Sequence, residues 1–348
     1  MSSPTIVDSE HALRSIIKPY PKVMDKRIQT SLDDHCLEFI QHARFIALGF
    51  NHDSLGIQVA SLKSAHLRII SPTQLKVRLA NRVIEESLAN QNITLAYSAY
   101  LMIPGVGHGL RVNGLAQIQS EDTCDTTLDI SAAYFQCARA SVRANLWGEP
   151  PHPSSWKQPI LAEETSNTLT QAGIHFLSQS SFLLMLTQDK QCQTEISPRG
   201  DDGRVAIALD KNTLLIAERP GNKVAISLRN IIEQPRITLS FIIPGCYNVL
   251  HIIGEARLTK DAALLKPLAI KGKAPKLGIL VTVTEQKIIT TPGLRAENLW
   301  DKHHHHDAKR LTSFPQIMAE HMNGRGLLGK VSTPIVKTIV HHDLKNLY

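Results

Sequence analysis

Ile103-Pro104-Gly105, followed by Leu110-Arg111-Val112-Asn113-Gly114-Leu115-Ala116, returns later in the chain as Ile243-Pro244-Gly245 followed by Leu250-His251-Ile252-Ile253-Gly254-Glu255-Ala256. Pro104 to Pro244, Gly114 to Gly254 and Ala116 to Ala256 are each 140 residues apart, so the spacing holds through the whole stretch. Apolar segments beginning Ile93-Thr94-Leu95 and Ile237-Thr238-Leu239 precede the two copies, and each copy reads as strand, Pro-Gly turn, strand.

The likeness continues outward on both sides. Ala43-Arg44-Phe45-Ile46-Ala47-Leu48 matches Ser180-Ser181-Phe182-Leu183-Leu184-Met185, and Arg143-Ala144-Asn145-Leu146-Trp147 matches Arg295-Ala296-Glu297-Asn298-Leu299-Trp300. The chain therefore reads as a duplicated domain. The breakers of Gly148–Ser155 place the joint, giving units of 1–152 and 153–348.

Within the second unit, a helix is predicted over Thr168–Gln179 and short strands over Phe182–Thr187, Gln193–Ser197, Val205–Leu209 and Thr213–Ala217. A second helix is predicted over Asn222–Glu233, with Val224, Leu228, Ile231 and Ile232 forming its apolar stripe and Pro235 stopping it. Many short strands with few helices indicate a mainly β (α+β) barrel or sandwich with flanking helices, not an alternating βαβ sheet.

Composition narrows the function. The 348 residues are 43% hydrophobic and 20% charged, an ordinary globular balance. No apolar run is long enough to span a bilayer, and the charged Met1–Tyr20 does not read as a secretory signal, so the cytoplasm is the expected compartment. Five widely spaced cysteines without a C-x-x-C pair argue against a disulfide framework or a zinc site. The net charge of +7 comes without a dense Lys/Arg block, which suits a small anionic ligand better than nucleic acid. Hydrolase elbows, Walker sequences and H-E-x-x-H are absent, and Gly105-Val106-Gly107-His108-Gly109 has hairpin rather than dinucleotide-loop spacing. The run His303–His306 lies on one loop and does not define a coordination geometry, so no metal is expected.

Two stretches carry anion-binding chemistry. Ser197-Pro198-Arg199-Gly200-Asp201 sets a hydroxyl, a guanidinium and a permissive glycine at a strand end. Arg219-Pro220-Gly221-Asn222-Lys223 lies between a strand and a helix start, with Ser227 one turn further on, so cations and backbone N–H groups could converge on a phosphate. Taken singly, each stretch also fits common turn chemistry.

Together these residues resemble the FMN-binding split-barrel superfamily typified by pyridoxamine 5′-phosphate oxidase. The resemblance covers most of 170–322 and, more weakly, 40–147. It implies two tandem split β-barrels that imitate internally the family's dimer, as a monomeric pseudo-dimer or a homodimer. It also implies FMN held by Ser197, Arg199, Gly200, Asp201, Arg219, Asn222, Lys223 and Ser227 of the second unit. Arg111 and Asn113 of the first unit would supply the partner side, and Arg139 and Arg143 the substrate side, although those two arginines also fit a solvated helix face.

The motifs are split between the units. The first has Ala60-Ser61-Leu62-Lys63-Ser64 and Ala80-Asn81-Arg82-Val83 where the second has its phosphate motifs. The second has drifted where the first keeps Leu110–Gly114 and Cys137–Trp147. One flavin per chain and an FMN-dependent oxidoreductase without a compulsory acid–base residue follow as expectations. Two other readings stand beside it: a haem-binding or haem-degrading barrel using His108, His251 or one of His303–His306, and a non-catalytic flavin-binding protein. The resemblance departs from the classical phosphate oxidase at its phosphate patterns, which leaves the substrate open.

Overall fold

The computed structural model describes residues 5–52, 55–78, 93–118, 125–148 and 162–348. The proposed joint beyond Gly148, the Ala80–Val83 segment and Cys124 lie outside the described residues. The strands, in chain order, begin with β1 (Ile6–Val7), β2 (Phe45–Phe50), β3 (Ile57–Ser61), β4 (Arg68–Ser71), β5 (Gln74–Arg78), β6 (Ile93–Met102), β7 (Gly109–Ile118) and β8 (Asp125–Gln136). They continue with β9 (Glu164–Ser166), β10 (Phe182–Gln188), β11 (Thr194–Gly200), β12 (Ala206–Ala208), β13 (Thr213–Glu218), β14 (Arg236–Ile242), β15 (Asn248–Thr259) and β16 (Leu277–Thr290).

Two antiparallel sheets result, ordered β3-β2-β6-β7-β8-β5-β4 and β11-β10-β14-β15-β16-β13-β12. The orders are identical once β10–β16 are set on β2–β8, so the duplication seen in the sequence is a duplication of topology. The protein is mainly β, with two curled split-barrel sheets and flanking helices.

The repeated residues do the same work twice. At each Pro-Gly a tight turn closes with a backbone bond, Val106 N to Ile103 O at 3.0 Å and Cys246 N to Ile243 O at 2.9 Å. Gly105 and Gly245 take the left-handed φ of 86° and 91° that the third position of a type II turn requires. Gly114 and Gly254 sit at the register shifts of the β7–β8 and β15–β16 pairs. A Cβ there would lie 1.8 Å from the Asp129 carbonyl oxygen and 2.2 Å from that of Thr282. Both long hairpins are bent at these bulges, which curl the sheets.

The apolar runs at Phe45 and Phe182 are buried on both faces because the strands separate two cores. Ile46 and Leu48 face the first sheet's own core, and Leu183 and Met185 face the second's. Phe45, Ala47, Phe182, Leu184 and Leu186 join Ile57, Ile196 and Trp300 in a third core shared by the two halves. Trp147 and Trp300, equivalent in the repeat, meet with ring centroids 5.4 Å apart. The halves thus pack as a pseudo-dimer.

The ends of the chain cross over. β1 pairs with β15, and Leu13 of the Glu10–Ile16 helix enters the second core. Ile317 of the Phe314–Asn323 helix enters the first core, where His35 meets Glu320 at 2.8 Å and His321 meets Asp33 at 3.0 Å. The helix expected from Asn222 begins at Ile226, because Lys223 and Ala225 have φ of 65° and 58°, which a helix cannot accommodate.

Gly114→Ala and Gly254→Ala each drive a methyl into a backbone carbonyl. Urea unfolding is expected to show each losing about 1–3 kcal/mol, with Gly221→Ala, whose added methyl meets nothing closer than 3.9 Å, close to the parent.

Candidate functional site

Strand alternation sets Glu195, Ser197 and Arg199 of β11 on one face. There Glu195 and Ser197 meet residues of β7 and β8. Arg111, only 2% exposed, pairs through Nη1 with Glu195 Oε1 and donates from the same nitrogen to the Tyr134 hydroxyl at 2.8 Å. Tyr134 in turn donates to Glu195 Oε2 at 2.7 Å, and Asn113 Nδ2 donates to that oxygen at 3.1 Å. Ser98 completes the seam, donating to Asn113 Oδ1 at 2.8 Å and accepting from Ile196 N at 2.9 Å.

Burial alone would lower the Arg111 guanidinium, but Glu195 and Tyr134 hold it above its ordinary value. Burial pushes the Tyr134 phenol up, and pushes the nearby Arg27 guanidinium down. The network is a charged, water-poor link between the halves.

A cavity of about 740 Å³ opens beside it. Of the twelve residues expected at a ligand site, ten border it: Arg111, Arg139, Arg143, Ser197, Arg199, Gly200, Arg219, Asn222, Lys223 and Ser227. Its wall carries ten cationic side chains, including Lys18, Arg27, Lys273 and Lys276, against the carboxylates Glu195 and Glu218. Such a cavity favours an anion.

The contacts sort the ten. Arg199 pairs with Glu218 at 2.6 Å and donates to Ser227 Oγ at 2.6 Å, while its buried Nε has no hydrogen-bond partner among the described residues. The Nε atoms of Arg111 and Arg139 are in the same condition. The Ile226–Glu233 helix opens beside Arg199 with no side-chain cap at Ala225. Gly200 allows a close approach of the halves, since a Cβ there would lie 1.9 Å from the Ala140 carbonyl oxygen.

Two expected residues are placed differently. Asp201 is buried behind the wall, accepting from Arg219 Nε at 2.7 Å, and Arg219 spends a further nitrogen on the Leu268 carbonyl at 2.7 Å. Those two buttress the cavity more than they open to it. Asn113 stands behind Glu195. Arg139 and Arg143 do not form a solvated face: each is 9% exposed, and burial, then Arg139, lowers the Arg143 guanidinium.

The expectations omitted Arg27, Tyr134, Glu195 and Tyr348, and gave no role to Glu218 at the head of the Arg219–Lys223 stretch. Glu195 was within reach, because it shares a face with Ser197 and Arg199 two and four residues away. Tyr134 and Tyr348 enter through pairings no local pattern announces.

The register also shows what stands at the mirror position. Phe45 opposite Ser61 corresponds to Phe182 opposite Gly200, which sets Ala60 at the place of Arg199, Gln58 at that of Ser197 and Gly56 at that of Glu195. Arg111 lies opposite Tyr134, whereas its repeat mate His251 lies opposite Lys287. Among the described residues, the side chains of Glu195, Ser197, Arg199 and Arg111 are therefore not repeated at these mirror positions.

Among the histidines, His251 is engaged with Ser240 at 2.8 Å and lowered to about 4 by burial and Lys287. His304 meets Asp301 at 3.1 Å and His305 the Leu299 carbonyl at 3.1 Å. Among the described residues no three His, Cys, Asp or Glu side chains come together as a metal site, and no helix is long and apolar enough to cross a membrane.

No protein-family model matches the chain, and no curated protein matches it. Solved structures similar to part of it include HupZ of Group A Streptococcus, 19% identical over 33% of this chain and 88% of that one, with a TM-score of 0.28. A Clostridium acetobutylicum protein related to general stress protein 26 of B. subtilis, of the pyridoxinephosphate oxidase family, is 12% identical over 33% and 84%, at 0.25. The haem storage protein HutZ of Vibrio cholerae is 14% identical over 35% and 94%, at 0.26.

Removing one partner of the buried pair leaves the other charge stranded. Glu195→Ala is expected to cost about 3–5 kcal/mol in urea unfolding, and the double variant Arg111→Met/Glu195→Leu to recover most of it.

Proposed function

We propose that the chain is an FMN-dependent oxidoreductase built as a tandem of pyridoxamine 5′-phosphate oxidase-like units, 1–152 and 153–348, with one flavin per chain and a small anionic substrate. The observation that carries this reading is the convergence of ten motif residues from both halves on one cation-rich cavity of about 740 Å³, within the usual range of about 300–1,000 Å³ for ligand clefts.

The residues fit a phosphorylated cofactor. Arg199, Lys223, Ser227 and the uncapped start of the Ile226–Glu233 helix would hold the phosphate. The partnerless Nε of Arg199 supplies a buried donor for it. Arg111, Ser197 and Gly200 border the rest of the cavity, with Arg139 and Arg143 on the substrate side. FMN, when bound, supplies hydride and electron transfer. The protein's own part is to orient, to exclude water, and to set positive charge where anionic character develops.

A second reading, haem binding, is favoured by His108 alone of the named histidines. It borders an adjoining, mostly apolar cavity of about 570 Å³, which shares Cys137 and Arg139 with the first, and is lowered to about 4 by burial, which keeps its imidazole neutral and ligand-competent.

The visible spectrum of the purified chain, with the released chromophore counted by mass spectrometry, separates these readings. One FMN per chain is expected; two per chain contradicts the single composite site, and haem moves the assignment to His108. Arg199→Ala and Lys223→Ala are expected to weaken FMN binding about tenfold to a hundredfold, with Lys63→Ala unchanged. Bleaching of the bound flavin by a nicotinamide donor is expected of an enzyme and not of a mere flavin carrier.

A further inference from the structure

The substrate side of the cavity is already in contact with another part of the chain. Asp343 pairs with Arg139 Nη2, and the Leu347 carbonyl accepts from Arg143 Nε at 2.8 Å. The Tyr348 ring lies against the guanidinium groups of Arg143 and Arg219, at 5.6 and 5.4 Å, and its hydroxyl accepts from Asp202 N at 3.1 Å. A single short segment thus offers a carboxylate, a carbonyl oxygen and an aromatic ring to three arginines from both halves.

The arm that carries this segment is weakly packed. The helix Leu327–Lys345 has 19 residues, of which Gly329 is the buried one. Leu327, Val331, Ile335 and Ile339 on its outer face are exposed. Beneath it lies the cavity of about 570 Å³, bordered by Val340 and Leu344 of the helix and by Cys137 and Phe314 below. Gly324, with φ of 78°, and Gly326 form the elbow at its root, and Pro334 removes one donor from its interior. An element with so little apolar burial belongs to the low-stability end of the molecule, yet its tip makes charge-assisted contacts with the cavity wall.

We propose that residues 343–348 are a displaceable strap across the substrate side of the site, and that the substrate displacing it is a small aromatic or conjugated carboxylate. Its anionic group would take the nitrogens of Arg139 and Arg143, and its ring the place of Tyr348 between Arg143 and Arg219. The proposal rests on reading the 740 Å³ cavity as the cofactor and substrate site. It adds to that reading the substrate class and a gate.

The test is calorimetric titration of 4-hydroxybenzoate into the full chain, with and without FMN, alongside amide hydrogen exchange of residues 336–348. If the strap is closed about nine-tenths of the time, Tyr348→Ala binds the probe about tenfold more tightly than the parent. Asp343→Asn is expected to shift affinity in the same direction, and the saturating probe to speed exchange in the arm of the parent chain. Equal or weaker probe affinity in Tyr348→Ala overturns the proposal, as does unchanged exchange in the arm, or no probe binding to either chain. A shared melting temperature for Tyr348→Ala and parent shows that the affinities compare folded proteins. Because the calorimetry does not need flavin, a chain that takes no FMN but releases its arm to the probe overturns the flavin reading alone. A chain that takes FMN and keeps its arm closed overturns the strap alone.

Discussion

A buried ion pair, Arg111 with Glu195, crosses the seam between the two halves, and the candidate site is arranged around it. Two charges taken out of water are tolerated only when most of their remaining hydrogen-bonding capacity is met, and Tyr134, Asn113 and Ser197 meet all of it but the Arg111 Nε, which has no partner among the described residues. Those partners come from β7, β8 and β11, so the requirement for satisfaction fixes how the second sheet is set against the first. The cavity wall formed by Ser197, Arg199 and Gly200 is the continuation of that same strand.

The shared core and the close approach at Gly200 bring the halves near enough for this link to form. The crossed ends reinforce the arrangement, since each terminal segment packs on the core of the other half. A chain tied in this way keeps a fixed face between its halves. Two separate copies would have to carry identical residues on both sides of such a face, whereas a tandem chain is free to vary them independently. Gly56, Ala60, His251 and Lys287 at the mirror positions are what that freedom looks like in side chains.

Electrostatically the site is not a uniform patch of charge. Four of its arginines have carboxylate partners, Glu195, Glu218, Asp201 and Asp343, and each pair limits which guanidinium nitrogens face the cavity. Arg219 is turned inward by Asp201 and the Leu268 carbonyl, while Arg199 keeps a partnerless Nε. The same residue type thus buttresses in one place and offers a donor in another, and the difference comes from the neighbours across the fold.

The repeat, its Pro-Gly turns and the bulge glycines could be read from the amino-acid order, because turn geometry, strand alternation and backbone sterics act over a few residues. That Ser197, Arg199, Lys223 and Ser227 are candidates for one site was suggested by local chemistry, and the fold sets all four at the wall of one cavity. The pairing of Arg219 with Asp201, the entry of Glu195 and Tyr134, the crossed ends and the seat of Tyr348 on the arginines were decided by tertiary structure. Those contacts join residues far apart in the chain, such as Arg111 and Glu195 across the two halves. Their energy depends on burial and on mutual satisfaction, which no short stretch of sequence contains.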